Sequence, residues 1–291
     1  MGSLEFVDID RLIPHEEVIR GLLESVISEL RSTGLLLHPV IVSREHGIVL
    51  DGNHRVEALR RMGARRVLAY SVDYMSNEVE VKRWFRTVRR EFDLSDFLRR
   101  VSRDLEAEVA PVDPERAMDG MALDGRAFAS VMDSTGSAYL LRSGSPVSTY
   151  QAYRMMAFID RVLEPYGLFH QREEEAIDGL RRGEWRAVVA SRPIRKQDVI
   201  GSALEGLRFP PKSSRHVVKG RVLFAMVPLK VLLSEDDSAA EAFLDRLKGL
   251  RTVKLPAGST VDRFYEEEVV VMVHGVELRH LYPPHIRNLL G

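Results

Sequence analysis

The chain has 291 residues, 45% of them hydrophobic and 29% charged, with a formal net charge of -1. That length suits two domains with substantial cores, and so even a charge balance gives no global field to recruit nucleic acid. Cysteine is absent, which excludes disulfides, thiolate catalysis and Cys-ligated zinc. No apolar run approaches the roughly 20 residues of a membrane span and the N-terminus has no secretory h-region, so a cytoplasmic protein is expected.

Residues 4–9 alternate and predict a strand. Val18, Ile19, Leu22, Leu23, Val26, Ile27 and Leu30 then recur at helical spacing up to Gly34. Pro14, His15, Glu16 and Glu17 precede that pattern, which places Glu16 at the mouth of the helix as a first-turn carboxylate. A strand over 40–43, a turn at Glu45-His46-Gly47 and an apolar run from Ile48 to Leu50 follow. Asp51-Gly52 makes a tight turn, because glycine takes backbone angles that other residues resist. Asn53 caps and opens a helix with Val56, Leu59 and Met62 on one face, closed by Gly63. A strand over 66–72 completes a β-α-β-β-α-β unit.

The turn at Gly52 aims backbone N–H groups and a positive helix end at one point, which favours an anion, above all a phosphate. His54 and Arg55 add side-chain donors, and Asp51 suits a metal ion or a polar substrate group. An ordinary strand-turn-helix with an Asp cap fits the same pattern equally well.

Residues 78–85 alternate, with Val79, Val81, Arg83 and Phe85 on one face and Glu80, Lys82 and Trp84 on the other, and predict one strand. A helix capped at Asp93 runs to about residue 108, and 111–114 read as a connection. A strand pair over 125–141 turns at Ser134-Thr135-Gly136. Helices over 149–163 and 171–182, a buried strand over 187–190 and a helix over 196–204 come next. Residues 209–217 form a Pro-bounded loop in which Lys212, Ser213, Ser214, Arg215 and His216 suit a carboxylate or phosphate. A solvated basic loop is the simpler reading of those five residues alone. An apolar strand over 222–227 and a short helix over 229–233 lead to the acidic break Glu235-Asp236-Asp237. Beyond it stands a tail with a helix over 238–250 and a hairpin pairing 269–273 with 276–281. The expected domains are 1–92, 93–235 and a C-terminal extension, 236–291.

Ile13-Pro14-His15-Glu16 followed by Asp51-Gly52-Asn53-His54-Arg55 resembles the ParB/sulfiredoxin-like fold, an α/β (α+β) architecture. With Trp84 and Pro211-Lys212-Ser213-Ser214-Arg215-His216-Val217 added, the chain resembles the archaeal free L-serine kinases (SerK). The resemblance runs from about Leu4 to Ser234, is loose over 112–141, and leaves the tail without a counterpart. Family members commonly carry His where this chain has Asn53.

The resemblance implies an N-terminal ParB/sulfiredoxin-like nucleotide-binding domain and a second α/β domain completing the active-site cleft. It places nucleotide phosphates on Gly52, Asn53, His54 and Arg55, and it makes Glu16, directly after Pro-His, the catalytic base. Asp51, Trp84, Lys212, Ser213, Ser214, Arg215 and His216 are then substrate-binding residues. Mg²⁺ would accompany ADP or ATP as phosphoryl donor, with metal ligands unassigned, and the product would be O-phospho-L-serine, a precursor for cysteine biosynthesis. A monomer acting on nucleotide and serine is expected.

Sulfiredoxin chemistry is excluded, since Asn53 stands where that family carries its cysteine. The alternative is a ParB-like nucleotide-dependent DNA-binding module. Between Lys82 and Arg103 eight basic residues face three acidic ones, but no helix-turn-helix is evident after Val72, which favours the kinase over DNA binding.

Overall fold

A computed structural model describes residues 2–290. They form two compact units. The first takes the chain up to Glu80 and again from His216 onward, and the second is Val81–Arg215. This corrects the expected division at residues 92 and 235. The acidic stretch there is a helix start, with Asp236 accepting from the N–H of Ser238. The helix Asp237–Lys248 buries Ala240, Phe243 and Leu247 in the same core as the N-terminal sheet. A run of surface carboxylates at a helix N-terminus complements the dipole and so does not mark a domain boundary.

The first unit is built on a mixed five-stranded sheet, in the order Ser3–Asp8, Arg66–Val72, Val40–Ser43, Ile48–Asp51, Ile13–Pro14. Val40–Ser43 runs parallel to Arg66–Val72 and antiparallel to Ile48–Asp51. The helices Arg20–Thr33 and Asn53–Arg61 share one core with it, through Leu23, Leu30, Val56 and Leu59. Near-continuous apolar strands such as Arg66–Val72, buried throughout, are what a sheet covered on both faces requires.

The C-terminal part adds a three-stranded sheet, with Val269–Met272 parallel to Arg221–Leu223 and antiparallel to Thr252–Leu255. The hairpin expected at His274-Gly275 is therefore absent: Val276–Leu281 is a 3-10 helix, and the antiparallel partner lies earlier in the chain. The expected strand over 222–227 is broken, because Phe224 and Met226 take positive φ values of 57° and 50°. Val227–Pro228 then pairs with Leu35–Leu36.

The second unit is a six-stranded, wholly antiparallel sheet ordered Leu168–Gln171, Phe85–Val88, Ala187–Ser191, Ala127–Asp133, Ala138–Arg142, Glu108–Pro111. One core holds the helices Leu94–Asp104 and Thr149–Leu163 through Phe97, Val101, Met156 and Ile159. A second core holds Ala117–Leu123 and Glu173–Arg181. The helix Ala117–Leu123 is too short to show a period. The expected helix over 171–182 begins only at Glu173, behind the strand Leu168–Gln171. The alternating stretch 78–85 is two strands, Val79–Arg83 and Phe85–Val88, parted at Trp84.

Candidate active site

Gly52 takes φ 104°, and a Cβ there would meet Val40 Cγ1 at 2.8 Å and Arg55 Nη2 at 2.9 Å, so both conformation and space demand glycine. Gly52 is itself the N-cap, with no side-chain cap bond. Asn53 is thus the first helical residue, not the cap expected of it. Val56 N–H is the first to bond back, to Gly52 O at 2.9 Å. The N–H groups of Asn53, His54 and Arg55 lie ahead of the ladder, the position that receives anions. Asn53 is buried and its Oδ1 has no protein partner. Such an acceptor calls for water or a ligand that donates.

The side chains of the first turn carry internal bonds. His54 Nε2 accepts the N–H of Ile19 at 2.9 Å. Arg55 Nη1 donates to His38 O at 2.9 Å and Pro39 O at 2.8 Å, and its Nη2 reaches Asp51 Oδ1 at 3.2 Å. The anion-binding capacity of the turn therefore rests first on backbone N–H groups.

Asp51 is met by three guanidiniums: Arg221, Arg263 at 2.9 Å and Arg55 at 3.2 Å. Burial pushes its carboxyl up, but the three cations outweigh burial and hold it well below the usual range. Arg221 also donates to Glu267 at 2.8 Å and to His216 O at 2.7 Å. Sequence reasoning missed Arg221 and Arg263. They lie 170 and 212 residues from Asp51, and no local pattern signals such a pairing.

Glu16 lies outside the first long helix. That helix starts at Arg20, with Ile19 as an extended N-cap and no acidic residue in its first turn, so the reading of Glu16 as a dipole-complementing carboxylate falls. Its side chain is 15% exposed, and Oε1 stands 3.7 Å from His15 Nε2. His15 is buried and its Nδ1 donates to Val49 O. His15 meets His216 edge-on, with ring centres 5.2 Å apart, and His216 Nε2 bonds the Tyr74 hydroxyl at 2.8 Å. Burial holds the His216 imidazole well below its ordinary value, and so neutral.

Trp84 and the residues from Lys212 to Arg215 belong to the second unit. Trp84 Nε1 donates to Ser214 O at 3.1 Å. Lys212 Nζ and the Arg215 guanidinium each lie 5.4 Å from the indole centre, within cation–π range. The Trp84 carbonyl accepts from Arg86 at 2.9 Å, and the fully buried Arg86 grips Asp160 with two bonds, at 2.8 and 3.1 Å. Burial pushes the Asp160 carboxyl up, but the Arg86 charge outweighs it and leaves it at about 2. Ser213, Ser214 and His216 are buried, Ser213 Oγ donates to Pro210 O at 2.7 Å, and Ser214–Val218 is a strand. The stretch is therefore not a solvated basic loop.

No family model matches the chain. Over 226 residues it is 23% identical to an ATP-dependent L-serine kinase of Staphylothermus marinus, covering 73% of this chain and 84% of that one. It is 25% identical over 225 residues to the ADP-dependent L-serine kinase SerK of Thermococcus kodakarensis, covering 73% and 86%. The chain is thus similar over about three quarters of its length to proteins named L-serine kinases. A ParB-like protein of Sulfolobus acidocaldarius is 28% identical over 220 residues, 74% of this chain and 90% of that one. A solved free serine kinase variant in complex with AMP matches with a TM-score of 0.68 at 22% identity, over 79% of this chain and 94% of that one. The fold is thus the α/β fold of the solved free serine kinase, ParB/sulfiredoxin-like. Among the described residues, no group of three or more His, Cys, Asp or Glu side chains is placed to hold a metal ion, and no helix is long and apolar enough to cross a membrane.

Proposed function

We propose that this chain is a free L-serine kinase, transferring a phosphoryl group from ADP or ATP to the side-chain hydroxyl of free L-serine and giving O-phospho-L-serine. The observation that carries the reading is the glycine-opened helix at Gly52, in a chain similar over most of its length to proteins named L-serine kinases. Phosphoryl transfer asks the protein chiefly for positioning and for charge stabilisation. The N–H groups of Asn53, His54 and Arg55 are assigned to the donor phosphates. Glu16 is assigned the hydroxyl proton, because a serine hydroxyl is a poor nucleophile until a base takes it. Lys212 and Arg215, stacked near Trp84, are assigned to the serine carboxylate or the transferred phosphate, with Ser214 and His216 supporting that stretch of chain.

Asp51, already matched by three arginines, organises those cations rather than binding the substrate ammonium or a metal. Mg²⁺ accordingly finds no carboxylate cage among the described residues and would ride on the nucleotide phosphates, which it commonly does with few protein ligands. When bound it neutralises phosphate charge. A cytoplasmic monomer remains the expectation.

The test is purified protein with Mg²⁺, ADP or ATP, and each hydroxy amino acid, with products read by mass spectrometry. Phosphoserine formation supports the reading. Salt-dependent duplex DNA binding without phosphoserine would favour the ParB-like alternative.

A further inference from the structure

Arg263 lies in the C-terminal extension, the part of the chain with no counterpart in the sequence resemblance, yet its Nη2 donates to Asp51 Oδ2 at 2.9 Å. The extension thereby reaches the residue immediately before Gly52. The loop that carries Arg263 is held by its own backbone: Gly258 N–H to Tyr265 O at 2.9 Å, Tyr265 N–H to Ser259 O at 2.9 Å and Val261 N–H to Arg263 O at 2.8 Å. The guanidinium stands 5.1 Å from the Tyr265 ring centre, and the Tyr265 hydroxyl donates to Asp262 at 2.8 Å.

The three arginines on Asp51 are not equivalent. Arg221 is 6% exposed and also serves Glu267 and a carbonyl. Arg55 is 22% exposed and also serves two carbonyls. Arg263 is 55% exposed, so a ligand can approach it. The charges around the turn are Arg55, Arg221 and Arg263 against Asp51, Glu267 and Asp262. The nearby His38 is neutral at pH 7, since burial pulls it to about 4. The cluster is balanced with Arg263 and net negative without it. A net negative cluster next to the N–H groups of a phosphate site would oppose the phosphate.

We propose that Arg263 makes the C-terminal extension part of the nucleotide-phosphate site, supplying the exposed cation that keeps the surroundings of the Gly52 turn from repelling phosphate. This rests on the kinase reading.

The experiment is calorimetry on the full chain with ADP, ATP and adenosine, at two salt concentrations, for wild type, Arg263→Gln and Arg263→Lys. Arg263→Gln is expected to weaken ADP and ATP binding on the order of tenfold and to flatten the salt dependence. It should leave adenosine affinity within about twofold, while Arg263→Lys recovers most of the affinity. Unchanged or tighter ADP and ATP binding in Arg263→Gln overturns the proposal, as does an equal loss for adenosine, which would mark a purely structural role. Wild type that binds neither nucleotide sinks the kinase reading and this inference together, whereas wild-type binding unaffected by Arg263→Gln sinks only this inference.

Discussion

Arg55 Nη1 donates to the carbonyl of Pro39 at 2.8 Å, which ties the helix Asn53–Arg61 to the start of the strand Val40–Ser43. With the bonds to His38 O and Asp51, the guanidinium is a brace of the fold. Hydrogen bonds from a charged group are each worth about 1.5–3 kcal/mol, and breaking a largely buried pair leaves the partner carboxylate short of a cation. Arg55→Ala is therefore expected to lose about 2–4 kcal/mol of stability along with nucleotide affinity. Denaturant unfolding checks this. A mutant with wild-type stability and lost nucleotide binding would restore Arg55 to a pure ligand role.

Glu16 stands outside the helix and beside His15, so a dipole contact no longer accounts for it. A general base contributes typically 10²–10⁴-fold to rate. Glu16→Gln should keep fold and substrate affinity and lose turnover on that scale, while Glu17→Gln stays near wild type. Steady-state kinetics with serine decides between them, and near-normal turnover in Glu16→Gln would move the base elsewhere.

Arg215 stacks near Trp84 in a stretch whose neighbours are buried. If it holds the acceptor carboxylate or the new phosphate, Arg215→Ala should raise KM for serine roughly tenfold and change nucleotide affinity less. Normal serine kinetics in this variant would return Arg215 to a structural role beside Trp84.

His38 gives a dependence of stability on pH. Burial pulls its folded pKa to about 4, against the partial pull of Asp262 the other way, and Nδ1 accepts the N–H of Phe224 at 3.0 Å. The unfolded chain takes up this proton near 6.5, so between about 6.5 and 4 the unfolded state binds more protons. The stability contribution is full above about 6.5 and is lost as pH falls to about 4, on the order of 2–3 kcal/mol. His216 shifts in the same direction. Unfolding measured from pH 7.5 to 4 should show the loss, and His38→Asn should flatten it. An unchanged slope in that variant would place the sensitivity in other groups.

The local elements were legible because their signals are local. The strands 40–43 and 66–72, the helices 149–163, 196–204 and 229–233, and the glycine-opened turn at Gly52 all follow from hydrophobic period and glycine placement. The short segments escaped: a strand of four residues, Leu168–Gln171 or Thr252–Leu255, and a helix of seven, Ala117–Leu123, are too brief to show a period.

Tertiary structure decided what depends on distant partners. Asp51 read as a carboxylate open to a metal or a substrate, and it became the centre of an arginine cluster only because the chain returns from residue 216 onward to the first unit. Glu16 read as a helix-start residue, and it left the helix because Ile19 is extended and donates its N–H to His54, 35 residues away. Charge pairing and burial act through space and leave no period in the chain, so the residue types of the site were visible in the sequence and their partners were not.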